Sequence, residues 1–351
     1  FFHFSLGSMN RNLKSILLAC TVLLFCFQGI AQDFQFSQFY AAPLYLNPAL
    51  AGISQETRMG SVYRKQWPGL DYQFTAVTAY VDHYSFDYKS GMGLSLSSFS
   101  EEFLKLNTTD ISGYYAYNLQ LSERINIQLG TQISYIQKRG TLENLLFGDQ
   151  IDVFNQTTLS SSADAVGGLE PFSYFSVGLG GVLNWDKLWV GFSGHHLNRP
   201  NVTFYVRDGQ SLHWPKYSIQ AGYTIPLEEP EFWEEGSGKF VHLMANYKRQ
   251  GPFQFLDAGV QVLLNQLVVG GGFRSLPIQS DLPKRESVIG LFGLNLSSGL
   301  AFGYSYDYPI SDVGSQTLGS HELSLRYQFF YGTPKSRGQR SRVLPCFSYL
   351  R

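Results

Sequence analysis

Residues 125–135 read Ile-Asn-Ile-Gln-Leu-Gly-Thr-Gln-Ile-Ser-Tyr. Ile125, Ile127, Leu129, Ile133 and Tyr135 are apolar; Asn126, Gln128, Gly130, Gln132 and Ser134 between them are polar or small. A β-strand turns alternate side chains to opposite faces, so this stretch has one greasy and one wet face. Leu323, Leu325, Tyr327 and Phe329 alternate with Ser324, Arg326 and Gln328 in the same way, and Phe175, Val177 and Leu179 with Ser176, Gly178 and Gly180. In a soluble sandwich the greasy face meets a second sheet. In a membrane barrel it meets lipid, and the polar face lines the lumen. On the barrel reading a charge at Leu129 is costly, whereas one at Gln128 is expected to be far milder because that side chain meets water or lumenal polar groups.

The pattern recurs in fourteen segments: 57–66, 72–82, 91–99, 108–121, 124–138, 173–186, 188–198, 212–226, 238–248, 254–264, 266–276, 286–297, 299–308 and 319–331. An even number returns the chain to the side from which it started, as bacterial outer-membrane barrels require. The gaps after the fourth, sixth, tenth and twelfth segments are very short. Those after the fifth, seventh, eleventh and thirteenth are long, with 139–172 the longest and 227–237 out of step. Short periplasmic turns and long outer loops produce this parity; a sandwich has no reason to. The expectation is an all-β, transmembrane antiparallel β-barrel of about fourteen strands over 57–331, in contact with outer-membrane lipid, with both termini periplasmic.

Composition agrees. Charged residues make up 15% of the chain, against roughly 25% in soluble domains. Aromatics reach 16%, with 28 Phe, 22 Tyr and 35 Gly. Disordered chains lack such aromatic content. A net charge of −1 argues against a nucleic-acid partner.

Residues 1–31 read as an upstream extension and a secretory signal peptide. Met9 is the expected start; Arg11 and Lys14 precede the apolar stretch 16–27 and a small-residue end, with cleavage between Ala31 and Gln32. Leu17-Leu18-Ala19-Cys20 offers a rival lipoprotein reading. After cleavage only Cys346 remains of three cysteines, which excludes an internal disulfide.

Two flanking segments do not read as strands. Residues 32–56 hold Phe36, Phe39, Tyr40, Tyr45 and Asn47 together with Pro43 and Pro48, which oppose central strand pairing. So apolar a stretch is expected to pack as a plug inside or under the barrel, with a turn at Asn47-Pro48. The tail 332–351 carries five basic residues and no acid. Excluding it and the leader, which holds two basic residues, leaves 26 − 2 − 5 = 19 basic against 27 acidic residues over 32–331. Glu228, Glu229, Glu231, Glu234 and Glu235 crowd one connection, a solvated turn or a contact for that tail.

No motif for catalysis emerges: no G-x-S-x-G, P-loop or H-E-x-x-H is present, and no enzyme, cofactor or metal is expected. Gly270-Gly271-Gly272 lies in a strand pattern without the helix that a phosphate loop needs. His195-His196 suggests a metal, but strand neighbours point to opposite faces; one ring inside and one at the rim is expected. Glu322 and Arg326 share the inward face of the last strand, as an expected lumenal ion pair. Phe147, Asp149, Asp152 and Phe154 are candidate contacts on the longest outer loop.

Several blocks carry a resemblance. They are Phe36 to Gly52 (FSQFYAAPLYLNPALAG), Tyr63 to Pro68 (YRKQWP), Phe147 to Asp152 (FGDQID), His196 to Pro200 (HLNRP), Ser305 to Tyr308 (SYDY), Ser320 to Leu325 (SHELSL) and Pro345-Cys346. In this order they resemble the PorP/SprF family of Bacteroidetes outer-membrane proteins. The resemblance implies a role in type IX secretion, supporting export or attachment of a secreted surface protein such as a gliding adhesin. The rival is an outer-membrane channel for small apolar or sugar solutes with 33–52 as its plug.

Overall fold

The computed structural model describes residues 33–122, 124–141, 148–152, 157–158, 170–203, 211–227, 239–275, 285–310 and 314–331. The strands are β1 (Thr57–Gln66), β2 (Phe74–Ser85), β3 (Ser90–Glu101), β4 (Leu106–Gln120), β5 (Ile125–Arg139), β6 (Ile151–Asp152), β7 (Thr157–Thr158) and β8 (Phe172–Trp185). There follow β9 (Leu188–His195), β10 (Lys216–Pro226), β11 (Lys239–Gln250), β12 (Phe253–Leu264), β13 (Leu267–Ser275), β14 (Arg285–Asn295), β15 (Leu300–Pro309) and β16 (Ser320–Phe329). Fourteen of them close into one antiparallel barrel, with β8 beside β5 and β1 joined to β16. The short strands β6 and β7 form a separate hairpin within the 140–171 connection, which the alternation does not announce.

The fourteen expected segments are these fourteen strands, with shifted ends. Pro215 has no N–H for the ladder, so β10 starts at Lys216 and not at 212. His196 has φ +56°, which ends β9 at His195. That turn also swings the ring inward: His195 and His196 are both buried, and the His196 ring packs tilted against His213 with centroids 4.1 Å apart. The expectation of one ring at the rim fails because the strand, and its alternation, stop one residue too soon.

Connections 86–89, 121–124, 186–187, 265–266 and 296–299 lie at one end, here the turn end, together with the longer 227–238. The long 140–171 and 196–215 lie at the other, the loop end. The acidic cluster falls within 228–238, and it, Phe147, Phe154, Ala31, Gln32 and the tail lie outside the described residues.

The outer wall is apolar: Leu129, Ile133, Phe175, Leu179, Phe192, Leu323 and their equivalents are exposed. The inner wall is polar and largely buried. Gln128 is fully buried and donates to Ala51 O at 2.7 Å, so the expected tolerance of a charge there is wrong. At Gln128 the polar face meets protein backbone where water or lumenal polar groups were expected.

That backbone belongs to residues 34–56. The segment makes a 3₁₀ turn at Phe39–Ala41, one helical turn at Pro43–Leu46 and a second 3₁₀ turn at Pro48–Leu50. Both prolines sit at a first helical position, where the missing N–H costs nothing. Between them Asn47 is extended, and its Oδ1 accepts from Ala49 N at 2.9 Å, capping the last turn. Glycines admit the segment. Gly130 and Gly180 pair across β5 and β8. A Cβ on Gly130 would lie 2.5 Å from Ala49 N, and one on Gly180 would collide with Asn47.

Candidate functional site

The described molecule concentrates its buried chemistry where residues 34–56 meet the inner wall. Three apolar clusters seat the segment. Phe39, Tyr40, Leu46, Leu50 and Ile53 pack on Val182, Trp189, Met244, Leu263 and Val268. Leu44 and Ala51 pack on Tyr80, Tyr114 and Ala116. Phe36 and Ala42 pack on Val62 and Ala76, with Phe34, Tyr45 and Phe99 alongside.

Short turns leave many backbone groups without partners inside the segment, and each must be satisfied when buried. The wall supplies them. Ser193 Oγ donates to Leu46 O at 2.9 Å. Asn47 Nδ2 lies within 3.3 Å of Gly181 O, Phe192 O and Gln220 Oε1. Gln38 Nε2 donates to Ser305 Oγ and to Glu322 O, and Ser324 Oγ donates to Gln38 Oε1 at 2.7 Å.

Two ionic groups hold its ends. Glu322 takes the backbone of two successive residues: Ser37 N donates to Oε2 at 2.8 Å and Gln38 N to Oε1 at 2.7 Å. Arg64, opposite Glu322 in the β1–β16 register, lies 3.1 Å from Glu322 Oε2 and 2.7 Å from Asp307 Oδ2. Ser37 Oγ donates to Asp307 at 2.6 Å and accepts from Arg64 at 2.7 Å. The network continues through Arg274 to Asp257 at 2.6 Å and from Asp257 to Lys248 at 2.7 Å. Lys248 donates to Gln35 Oε1 at 3.0 Å. Three cations thus face three carboxylates on six strands, which meets the requirement that buried charge be paired. At the other end Arg58 binds Asp82 through two nitrogens, at 2.9 and 2.8 Å, and donates to Leu50 O at 3.2 Å. Asp82 also accepts Gly52 N at 2.7 Å.

Phe36, Phe39, Tyr40, Pro43, Asn47 and Pro48, read from the sequence as one unit, are buried together here; Tyr45 is half-buried, with its hydroxyl on Phe34 O at 2.7 Å and Lys216 Nζ 4.6 Å from its ring centre. The expected pairing of Glu322 with Arg326 does not form. Four residues along a strand separate Cα atoms by about 13 Å, whereas Arg64 stands directly across the ladder. Asp149 is exposed in a single 3₁₀ turn, and Asp152 lies in β6. The sequence reading missed Ser37, Arg58, Arg64, Asp82, Lys248, Asp257, Arg274 and Asp307. A usable signal existed, since Arg64 and Asp307 sit at the inward phase of otherwise apolar alternation.

Blocks at 36–52, 63–68, 305–308 and 320–325, scattered along the chain, therefore converge on one interior site. A search of curated proteins finds no match. Among solved structures the chain is similar to the outer membrane protein Omp33 of Acinetobacter baumannii, with a TM-score of 0.44 and 7% identity over 80% of this chain and 100% of that one. It is similar also to a FadL homologue of Pseudomonas aeruginosa, with TM-score 0.43 and 11% identity over 81% and 93% of the two chains. For the CymD monoaromatic hydrocarbon channel the values are 0.45 and 12%, over 83% and 93%. The family model described as type IX secretion system membrane protein PorP/SprF matches residues 29–327, almost the whole barrel and its interior segment. The chain belongs to the PorP/SprF family of type IX secretion system membrane proteins.

Proposed function

We propose that this chain is a non-enzymatic accessory barrel of type IX secretion. It holds or passes a secreted surface protein, such as a gliding adhesin, at the outer membrane. The loop end faces outward, both termini are periplasmic, and residues 34–56 act as a resident plug. The chemistry is binding without turnover. The observation that supports this reading is the occupied interior: the inward charges and amides bind the chain's own backbone, not a passing solute. Partner contacts then fall to the loops, above all 140–171.

The test is recovery of the intact complex. A tagged chain drawn from detergent-solubilised outer membranes is expected to bring with it a secreted surface protein and secretion components. Recovery of the chain alone, with steady conductance in planar bilayers, overturns the proposal in favour of a solute channel.

A further inference from the structure

The register of β14, β15, β16 and β1 lays the outward side chains in cross-strand rows. Towards the loop end, Lys65 stands beside His321, His321 beside Tyr306, and Tyr306 beside Gly290, with Tyr308 and Val288 one pleat beyond on β15 and β14. One pleat below stand Tyr63, Leu323, Tyr304 and Phe292, and below these Ser61, Leu325, Phe302 and Leu294.

The two lower rows enclose a groove of about 380 Å³ on the outer wall. Its floor is thin, because Gly293, Gly303 and Ser324 lie side by side in the register behind it. Phe292, Phe302 and Tyr304 form its sides, and Ser61 leaves it open towards β1. Apart from Ser61, the outward side chains of these two rows are apolar or aromatic; the row of Lys65 and His321 lies about 7 Å higher along the strand.

There the character changes. Lys65 is half-buried and has no hydrogen-bond or ion-pair partner among the described residues. His321 is held by Tyr304, whose hydroxyl lies 2.9 Å from Nδ1, and by the Tyr306 ring at a centroid distance of 4.9 Å. That leaves Nε2 as the ring's second polar edge. Beside Tyr306, a Cβ on Gly290 would meet open space, so the row ends in a notch. The outward positions of β1, β15 and β16 carry no carboxylate. The Lys65 ammonium and the polar edge of His321 thus sit directly over an apolar slot, near the loop end of β1.

We infer that this face binds one phosphorylated glycolipid of the outer leaflet, with an acyl chain in the groove and a phosphate against Lys65 and His321. The charge selects an anion, and the groove selects a molecule that joins its anion to hydrocarbon. A wholly apolar helix of a partner protein would fill the slot but would leave Lys65 without a counter-charge. The inference rests on the outward placement of the loop end proposed above.

The full-length protein, purified in detergent, is titrated with diphosphorylated lipid A, phosphatidylglycerol or phosphatidylcholine in mixed micelles. Retained lipid is read by native mass spectrometry. One lipid A per chain is expected, with affinity at least tenfold above that for either phospholipid. The pair Lys65→Gln with His321→Gln, and separately Ser61→Phe, which fills the groove from the lipid side, should each lower lipid A retention at least tenfold. Equal retention of all three lipids, or retention unchanged in both variants, means unselective boundary lipid and overturns the inference. Preference for phosphatidylglycerol overturns it as well. Orientation is read independently from an epitope near Ser161: reached by antibody on whole cells, it upholds the outward loop end whatever the lipid result.

Discussion

Replacing Glu322 with glutamine keeps the side chain's shape and removes its charge from the centre of a buried network. Glu322 is fully buried and its two oxygens accept Ser37 N and Gln38 N while Arg64 lies 3.1 Å away. A glutamine offers one oxygen, so one of the two N–H groups loses its acceptor, at about 1–3 kcal/mol. Arg64 loses one of its two carboxylates and keeps Asp307 at 2.7 Å, so the charge imbalance falls at or below the low end of the roughly 3–5 kcal/mol seen when a buried pair is broken outright. The expected cost is about 3–4 kcal/mol, a factor of more than a hundred in the docking equilibrium of the segment. The assay is urea unfolding of the protein refolded into liposomes, with protease cleavage within 34–56 as the reporter of docking. Glu322→Gln should make the segment cleavable at urea concentrations where the barrel still resists. Arg64→Met combined with Glu322→Gln should cost at least 1 kcal/mol less than the two single changes summed, because the partners answer to each other. Additive losses, or a single loss under about 1 kcal/mol, would refute the claim that this pair anchors the segment.

Leu129→Arg on the lipid face should cost roughly 2–4 kcal/mol if the site lies near the bilayer midplane, and Gln128→Arg should be no milder, because Gln128 is sealed against Ala51; liposome unfolding curves check both, and a harmless Gln128→Arg would mean that the interior is wet. Gly130→Leu should expel the segment while leaving the barrel closed, since even a Cβ there meets Ala49 N at 2.5 Å; protease mapping against circular dichroism separates expulsion from unfolding. Deleting 34–48 should raise ion conductance in planar bilayers and lower the thermal midpoint, and a deletion that moves neither quantity rules out a plug.

The wall was legible because each strand repeats its alternation often enough to fix both its existence and its phase. Ends were less legible: Pro215 is a local signal that outweighs the apolar pattern from 212, and the positive φ at His196 has no local signal. The interior segment could be read from Phe36, Phe39, Tyr40 and Tyr45 as something that must be buried. Its anchors could not. Ser37 and Glu322 lie 285 positions apart, and Arg64 and Asp307 lie 243 apart. Their meeting is a product of register around a closed sheet, which no single strand displays. Reading within one strand instead offered Arg326, on the right face and out of reach. The inner face misled for a related reason. Polar side chains on an alternating strand look the same whether they face water or the unpaired carbonyls of another segment, and Gln128 and Ser193 face the second.

The first and last strands of this barrel are joined by a ladder from Thr57↔Phe329 to Gln66↔Ser320. The same two strands supply Arg64 and Glu322, so residues 37 and 38 span the seam from within. Ser37 can meet Arg64 and Glu322 together only once the seam has closed, although residues 37 and 38 precede every strand in the chain. Loop-closure entropy grows with the length of chain enclosed, and here nearly the whole molecule is enclosed. Sheet closure is therefore expected to precede the final docking of a segment that lies ahead of every strand in the chain. An open seam would leave the segment's aromatic residues without their seats, so variants that open it are expected to aggregate more readily. Once settled, the segment rivets the seam, so parting β1 from β16 requires giving up its ionic contacts as well as the ladder.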